Sequence, residues 1–491
     1  MFDYSMQDNA IRIIKDGANR RISDRDFIIH EINRTMSSIA WKWMMTGDDY
    51  YVGKHDVLAK QRTVIGTGGE VEEVDNLPNN KNIDNVYRRM VKQKNNYLFG
   101  KPFAVDTDND AYTDILNGFF DKRFLRTLKT IGRDFLNCGI AWLYIYYDEQ
   151  GELKFKRFRP YEVIPEWKDI DHTELDSLIR FYQVDEWDGY KDSKVTKVEY
   201  YKPDGIYYFE SFGGTIEPCE PYHTPYFSIG EQGYNWDKLP FVAFKYNQEE
   251  QPLIQCCKSL QDGLNQIISA FEDVMEEDTR NTILVLVNYD GENLAEFRKN
   301  LATYGAVKVR SSEGANGDVR TLQVEVNAEN YKAIIEVFKR AIIENCMGFD
   351  AKDTRMGGSP NQMNIQSMYS DIDLDASDTE VECQAAFESL MYFINLHLIN
   401  SGLGDFSNES VTITFNTDLP MDETSKIQNI KNSVGIVSDE TLLANHPWVA
   451  DPKAELERVN EQKLADIEQY ENAFAPQQAE PNEEAGINEE Q

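Results

Sequence analysis

Apolar positions between Gln251 and Asn400 change period several times, and each change marks a new element. Leu253, Cys257, Leu260, Leu264, Ile267, Phe271 and Val274 recur at spacings of three and four. They place one apolar stripe along a helix of about 25 residues, about 38 Å long. Ile283–Val287 is wholly apolar and predicts a strand. Asn293–Tyr304 predicts a short helix, and Ala306–Arg310 and Leu322–Val326 predict strands, giving a compact β-α-β unit. Tyr331, Ile334, Ile335, Phe338 and Ile342 form the next helical stripe. Lys332, Glu336 and Arg340 share the opposite face at i,i+4 spacing, which suits a solvated helix. Asp350–Asn361 contains Gly357-Gly358-Ser359-Pro360 and breaks regular structure. From Ile365 to Ile399 neither proline nor glycine occurs, which predicts a single helix about 52 Å long. Such a helix needs a large assembly to lean on.

The first half starts helical and turns to strands. Ile22–Ser37 predicts a helix starting at Ser23, with an aromatic patch at Trp41, Trp43, Tyr50 and Tyr51. Gly66–Asn80 is polar and glycine-rich and predicts a loop. Asn82–Phe99 carries Ile83, Val86, Tyr87, Met90, Tyr97 and Leu98, an amphipathic helix stopped by Gly100 and Pro102. A helix pair covers Ala111–Asn137. Ala141–Tyr147, the turn Asp148–Gly151 and the alternating Leu153–Phe158 predict a hairpin. Further strand-like runs lie at Leu178–Val184, Val195–Tyr201, Ile206–Glu210 and Phe241–Tyr246. After the long helix come a strand at Val411–Phe415 and short helices at Glu423–Val434, Ser438–Asn445 and Lys453–Gln469. Residues from Asn472 onward are rich in Glu, Gln, Ala, Pro and Asn and predict disorder. The class is α+β with a β-rich centre.

Composition narrows the function. A chain of 491 residues predicts several domains. A net charge of -35 excludes tight binding to duplex DNA along the whole chain, because that needs Lys and Arg to displace counterions. An acidic chain can still surround DNA without sticking to it, and the charge alone reads equally well as solubility. Among six cysteines there is no CxxC pair and no zinc spacing. The adjacent Cys256 and Cys257 are expected to be core thiols. No apolar run is long enough for a membrane helix and no secretory signal opens the chain, so synthesis in a reducing cytoplasm is expected.

Catalytic motifs are missing. Gly47 and Gly53-Lys54 miss the P-loop spacing by one residue, and His55 stands where Ser or Thr is required. His30-Glu31 lacks the second His of a zincin, since Arg34 occupies that position. Asp371, Asp373 and Asp375 mimic part of a calcium loop, but its glycine and closing Glu are absent. They are expected as acidic first turns of the long helix. No catalytic residue, metal site or cofactor is expected. Basic residues concentrate at Arg298, Lys299, Lys308, Arg310 and Arg320 in the β-α-β unit, and at Lys332, Lys339 and Arg340 on the helix after it. These are either ordinary solvated faces or a tip that meets DNA or a DNA-handling partner.

Several stretches in order resemble the portal proteins of tailed bacteriophages of the long-tailed type. They are Tyr97-Leu98-Phe99-Gly100-Lys101-Pro102 after a helix and Cys138-Gly139-Ile140-Ala141-Trp142 running into the hairpin. Arg159-Pro160-Tyr161-Glu162-Val163-Ile164-Pro165, Leu239-Pro240-Phe241-Val242 and Ile283-Leu284-Val285 through Gly291-Glu292-Asn293-Leu294 follow. The resemblance covers most of residues 20–450 and implies a phage portal fold that forms a ring, usually of twelve subunits, at one capsid vertex. It implies a wing over 1–250, stem helices over 251–278 and 328–348, a clip over 279–327 and a tunnel loop over 349–364. A long wing helix with a closing strand would cover 365–422, a helical crown 423–470 and a disordered acidic tail 471–491. Lys352, Arg355, Met356, Gly357, Gly358 and Gln362 would belong to the DNA channel. Arg298, Lys299, Lys308, Arg310 and Arg320 would dock partners from the clip, and Lys332, Glu336, Lys339 and Arg340 would lie on the stem. Implied partners are other copies of the chain, double-stranded DNA, terminase, a head-completion adaptor, and the major capsid and scaffolding proteins. The implied place is the virion, after assembly in the host cytoplasm. Rival readings are a ring-forming connector or scaffold that never encloses DNA, or a nuclease or glycosidase using clustered acids.

Overall fold

The computed structural model describes residues 23–65, 69–75, 77–187, 192–212, 215–280, 283–287, 311–312, 315–316, 318–322, 328–350, 362–416, 423–446, 448–449 and 455–464. Helices α1 (Asp24–Ser37) and α2 (Ile39–Val52) lead into the short strands β1 (Thr63–Ile65) and β2 (Val71–Glu73). Next come α3 (Val86–Phe99), β3 (Ala104–Asp106), α4 (Asp110–Phe119) and α5 (Lys122–Cys138). The β-rich centre comprises β4 (Ile140–Tyr147), β5 (Leu153–Phe158), β6 (Val163–Trp167), β7 (Leu175–Trp187), β8 (Asp192–Lys202), β9 (Gly205–Phe212), β10 (Thr215–Thr224), β11 (Phe227–Ile229), β12 (Gln232–Tyr234) and β13 (Phe241–Lys245). Helix α6 (Ile254–Arg280) precedes β14 (Ile283–Val287), β15 (Ser311–Ser312), β16 (Ala315–Asn316) and β17 (Asp318–Leu322). Then follow α7 (Ala328–Asn345), α8 (Gln362–Asn400), β18 (Thr412–Thr414), α9 (Glu423–Ser433) and α10 (Asp439–Ala444), with a last helical stretch at 455–464.

The chain divides into two compact units. One holds Met1–Asp353 and Met368–Asp418, the other Thr354–Ser367 and Leu419–Gln491. In the first, β6 to β10 form an antiparallel meander of five strands, and β13, β4 and β5 form a second antiparallel sheet. Strand β4 is buried on both faces, which explains its unbroken apolar run. Ala141, Leu143 and Ile145 join the main core, while Ile140, Trp142 and Tyr144 join a second core shared with Trp167, Leu178 and Tyr201. The main core gathers Met90, Leu98, Leu128, Phe135, Val242, Phe244, Phe387 and Ile394 from α3, α5, β13 and α8. Strand β18 pairs with β3, far away in sequence, and closes this body. In the second unit, Ser438 caps α10 by accepting from the Thr441 N–H at 3.3 Å.

Most expected elements are present. Ser23 caps α1, accepting from the Asp26 N–H at 3.2 Å. The hairpin, the single helix α8 and the strand at β18 lie where expected. Several findings differ. The expected loop Gly66–Asn80 contains strand β2, which pairs antiparallel with β1 through Val71 opposite Ile65 and Glu73 opposite Thr63, and the short strands β3, β11 and β12 are further additions. The helix expected from Asn82 starts at Val86, because the N–H groups of Asn82 and Asp84 are taken by side chains of α6 and Asn85 caps the helix instead. Strands β6 and β10 were not expected; each carries proline, at Pro165, Pro218 and Pro221. Around the expected β-α-β unit, β14 pairs antiparallel with β17, a strand over Asp318–Leu322 that starts ahead of the expected Leu322–Val326 run, of which residues 323–326 lie outside the described residues. Cys257 is buried but Cys256 is exposed, so only one of the two is a core thiol. The expected helix at Asn293–Tyr304 and strand at Ala306–Arg310 lie outside the described residues.

Candidate functional site: the helical hairpin and the root of the loop

Helices α6 and α7 pack antiparallel. Gly263 lets them approach: a Cβ there would stand 2.6 Å from Cε1 of Phe338. Phe271 and Tyr331 pack ring to ring farther along, with centroids 4.8 Å apart. The packing between the two helices leaves other apolar side chains uncovered. Met275, Ile334 and Val337 remain exposed, Val337 by 66%.

Helix α6 also buries a polar ladder. Gln261, Asn265, Ser269 and Asp273 follow at intervals of four, and all are fully buried. Each accepts a backbone N–H from the segment ahead of α3 or from its first turn. Asn80 donates to Asp273 Oδ1 (2.6 Å), Asn82 to Ser269 Oγ (2.9 Å), Asp84 to Asn265 Oδ1 (3.1 Å) and Tyr87 to Gln261 Oε1 (3.0 Å). The spacing explains the fit. Four helical residues rise about 6 Å, and two extended residues span about 6.6 Å, so the rungs from Asn80, Asn82 and Asp84 stay in step; the last donor, Tyr87, stands three residues on, in the first turn of α3. Gln261 Nε2 donates back to the Asp84 carbonyl at 2.8 Å. Asn265 Nδ2 donates to His55 Nδ1 at 2.8 Å, and His55 Nε2 lies 3.1 Å from the Tyr50 carbonyl. That pairing makes His55 a neutral Nε2–H tautomer, and burial lowers its pKa further. Burial pushes the Asp273 carboxyl up, but the Asn80 N–H and the Lys60 ammonium at 2.6 Å outweigh it and hold it below the ordinary value.

The chain after α7 is held by α3. Met347 adopts a left-handed conformation (φ 49°) and Phe349 follows it. The Gln93 amide brackets Phe349: its Oε1 accepts from the Phe349 N–H and its Nε2 donates to the Phe349 carbonyl, both at 2.8 Å. Lys94, nearly fully buried, pairs with Asp375 at 2.6 Å and donates to the Met347 carbonyl at 3.3 Å. Desolvation lowers its pKa despite that carboxylate. Tyr246 donates to Asp375 Oδ1 at 2.5 Å, and Tyr97 donates to Asp373. The Phe349 and Tyr369 rings stack 4.2 Å apart. The two ends of the stretch 350–368 therefore touch and share one anchor. Asp373 and Asp375 are side-chain partners well inside α8, not acids of its first turn.

Of the residues singled out from sequence, Lys332, Glu336 and Arg340 are exposed on α7, and Lys339 reaches Asp84 at 2.6 Å. Arg320 lies on β17 opposite Val285. Gln362 opens α8. Lys352, Arg355, Met356, Gly357, Gly358, Arg298, Lys299, Lys308 and Arg310 lie outside the described residues. Sequence reasoning missed the ladder and the Gln93–Lys94 anchor. The period of four in Gln261, Asn265, Ser269 and Asp273 marks one face of α6, but not that this face is buried. Nothing local marks the second, because its partners are far apart in the chain. Among the described residues no group of three or more His, Cys, Asp or Glu could hold a metal ion, and no helix is long and apolar enough to cross a membrane.

A family profile described as phage portal protein, SPP1 Gp6-like, matches residues 29–469. The chain is 28% identical over 426 residues to the portal protein of Bacillus phage SPP1, covering 85% of this chain and 83% of that one. It is 27% identical over 442 residues to the portal protein of Clostridium phage phiCD119, covering 86% and 93%. A match across most of the chain, with long helices and a mixed α+β body, places it with structural proteins of the virion: the chain belongs to the SPP1 Gp6-like family of phage portal proteins.

Proposed function

We propose that this portal protein assembles as a closed ring, of twelve copies as in the family resemblance, and forms the channel for duplex DNA at one capsid vertex. In this reading 1–250 is the wing, 251–278 and 328–348 the stem, 279–327 the clip, 349–364 the tunnel loop, 365–422 the long wing helix with its closing strand and 423–470 the crown. The clip, through Arg298, Lys299, Lys308, Arg310 and Arg320, docks terminase during packaging and a head-completion adaptor afterwards. Lys352, Arg355, Met356, Gly357, Gly358 and Gln362 face the passing DNA. The acidic surface centres the duplex without adhesion, since at physiological salt repulsion reaches only about 8 Å.

One observation carries the ring. The α6–α7 hairpin leaves Met275, Ile334 and Val337 exposed although each belongs to an amphipathic helix. Neighbouring hairpins in a ring cover such a face, and water does not. Electron micrographs of the purified protein viewed down its axis are expected to show a closed ring with a central hole. Ile334→Glu with Val337→Glu is expected to yield folded single subunits. Wild-type protein that sediments only as a monomer over a wide range of concentration and salt removes this reading.

A further inference from the structure

Helices α3 and α5 carry a basic face that the wing, stem, clip and loop assignments do not use. The chain holds 85 acids against 50 Lys and Arg, yet α3 has no acid at all and α5 only Asp134, which is buried. Lys122, Arg126, Lys129 and Arg133 fall at intervals of four, three and four along one side of α5, a row about 17 Å long. Arg88, Arg89 and Lys92 occupy the exposed side of α3. The two helices pack against each other. The Asn95 amide on α3 donates to the Lys129 carbonyl at 2.9 Å, and Gly132 on α5 faces Asn95 and Phe99. Arg88 and Arg133 flank the same Tyr51 ring, 5.4 and 5.8 Å from its centroid, so the two basic rows adjoin.

Arg133 has Asp134 as its partner. Lys122, Arg126 and Lys129 on α5, and Arg88, Arg89 and Lys92 on α3, have no acidic partner among the described residues. Like charges at i,i+4, as in Lys122/Arg126 and Arg88/Lys92, cost about 0.2–0.5 kcal/mol each. A chain so rich in Asp and Glu leaves that repulsion uncompensated here. No exposed large hydrophobic side chain lies on either helix among the described residues. A protein-docking surface is anchored by buried aromatic or aliphatic side chains, which this face lacks. A sequence-independent phosphate surface needs only cations.

We propose that the α3–α5 face is a second binding surface for duplex DNA, separate from the tunnel loop. Beside a 17 Å row, a duplex presents about ten phosphate charges. Acids farther than about 8 Å away are screened, so the chain's net charge does not cancel the patch. Duplex rather than another polyanion is chosen because a portal handles a duplex genome, so this inference rests on the portal reading.

The test is fluorescence anisotropy of a short mixed-sequence duplex titrated with full-length protein between about 50 and 200 mM salt. The variants are the triple Lys122→Gln/Arg126→Gln/Lys129→Gln and, on the other helix, Arg88→Gln/Lys92→Gln. All five positions are exposed, and sedimentation and circular dichroism should match wild type. Wild type is expected to bind at low salt. The triple variant is expected to bind at least about tenfold more weakly, with a salt slope reduced by about 0.9 for each phosphate no longer neutralised. Equal slopes for wild type and both variants overturn the proposal, as does wild type without affinity at low salt. Wild type that retains poly-glutamate but not the duplex, with the triple variant releasing it, overturns DNA and assigns the face to an acidic protein. Micrographs of the same samples separate the two readings. Missing rings count against the portal assembly, whereas the titration judges the surface in either case.

Discussion

Gly139 sits where α5 passes into β4, with φ at 85°, and the Glu250 carbonyl oxygen occupies the space a Cβ would need. Its N–H closes α5 on the Phe135 carbonyl at 2.6 Å, and its own carbonyl accepts from the Tyr246 N–H at 2.9 Å. Both the left-handed backbone and the backbone neighbour oppose a side chain. Gly139→Ala is expected to cost at least about 2 kcal/mol, read as a lower urea midpoint; an unchanged midpoint would contradict the geometry. The buried Lys94–Asp375 pair is equally exacting. Asp375→Asn leaves an ammonium in the interior and is expected to cost about 3–5 kcal/mol near neutral pH. Lys94 in the fold already titrates below its unfolded value of 10.5, and the variant lowers it again. Between the folded and unfolded values the unfolded chain binds more protons, so the variant should recover stability as pH rises toward 10.5. A deficit that stays constant with pH would point to poorer packing instead.

At the scale of elements, helix α6 shows what periodicity can and cannot reveal. Its apolar stripe was legible from Leu253, Leu264 and Phe271, and so were α8, the β4–β5 hairpin and the Ser23 cap. All of these are local patterns of period 3.6 or 2. The burial of Gln261, Asn265, Ser269 and Asp273 was not legible, because polar residues between apolar ones read as a solvated face until their partner is known. That partner lies about 180 residues earlier in the chain, as the Asp84–Asn265 separation of 181 shows. The same distance effect moved the start of α3 from Asn82 to Val86. Asn265→Leu keeps the volume but orphans the Asp84 N–H and the acceptor nitrogen of His55. The expected loss is about 1–3 kcal/mol for each buried group left unpaired, with faster protease cleavage of residues 74–85. Leu264→Met on the same turn should cost less than about 1.5 kcal/mol. Equal costs for the two substitutions would show that the ladder contributes no more than ordinary packing.

For the whole molecule, the root of the loop separates folding from function. Phe349 and Tyr369 already touch, and Gln93 and Lys94 hold the root from α3. A reversal between helices needs only about two to five residues. Shortening 350–364 to a tight turn with Gly357 kept should therefore leave folding and assembly intact. Under the proposed function, heads assembled with the shortened protein should translocate or retain less than a full genome. Heads that fill and hold the normal amount of DNA would show the loop to be only a connector.

The ladder on α6 also fixes how load is shared. Its rungs run across the helix axis, from α6 to the extended segment beside it. A push along the axis strains all four in shear at once, as in a lap joint. A sideways pull peels them off one at a time, starting at Asp273 or Gln261. Sliding into a new register would require every rung to break together, because no intermediate offset pairs the four acceptors with their donors. Under the proposed function, such a joint is stiff to force along the α6 axis and compliant to force across it.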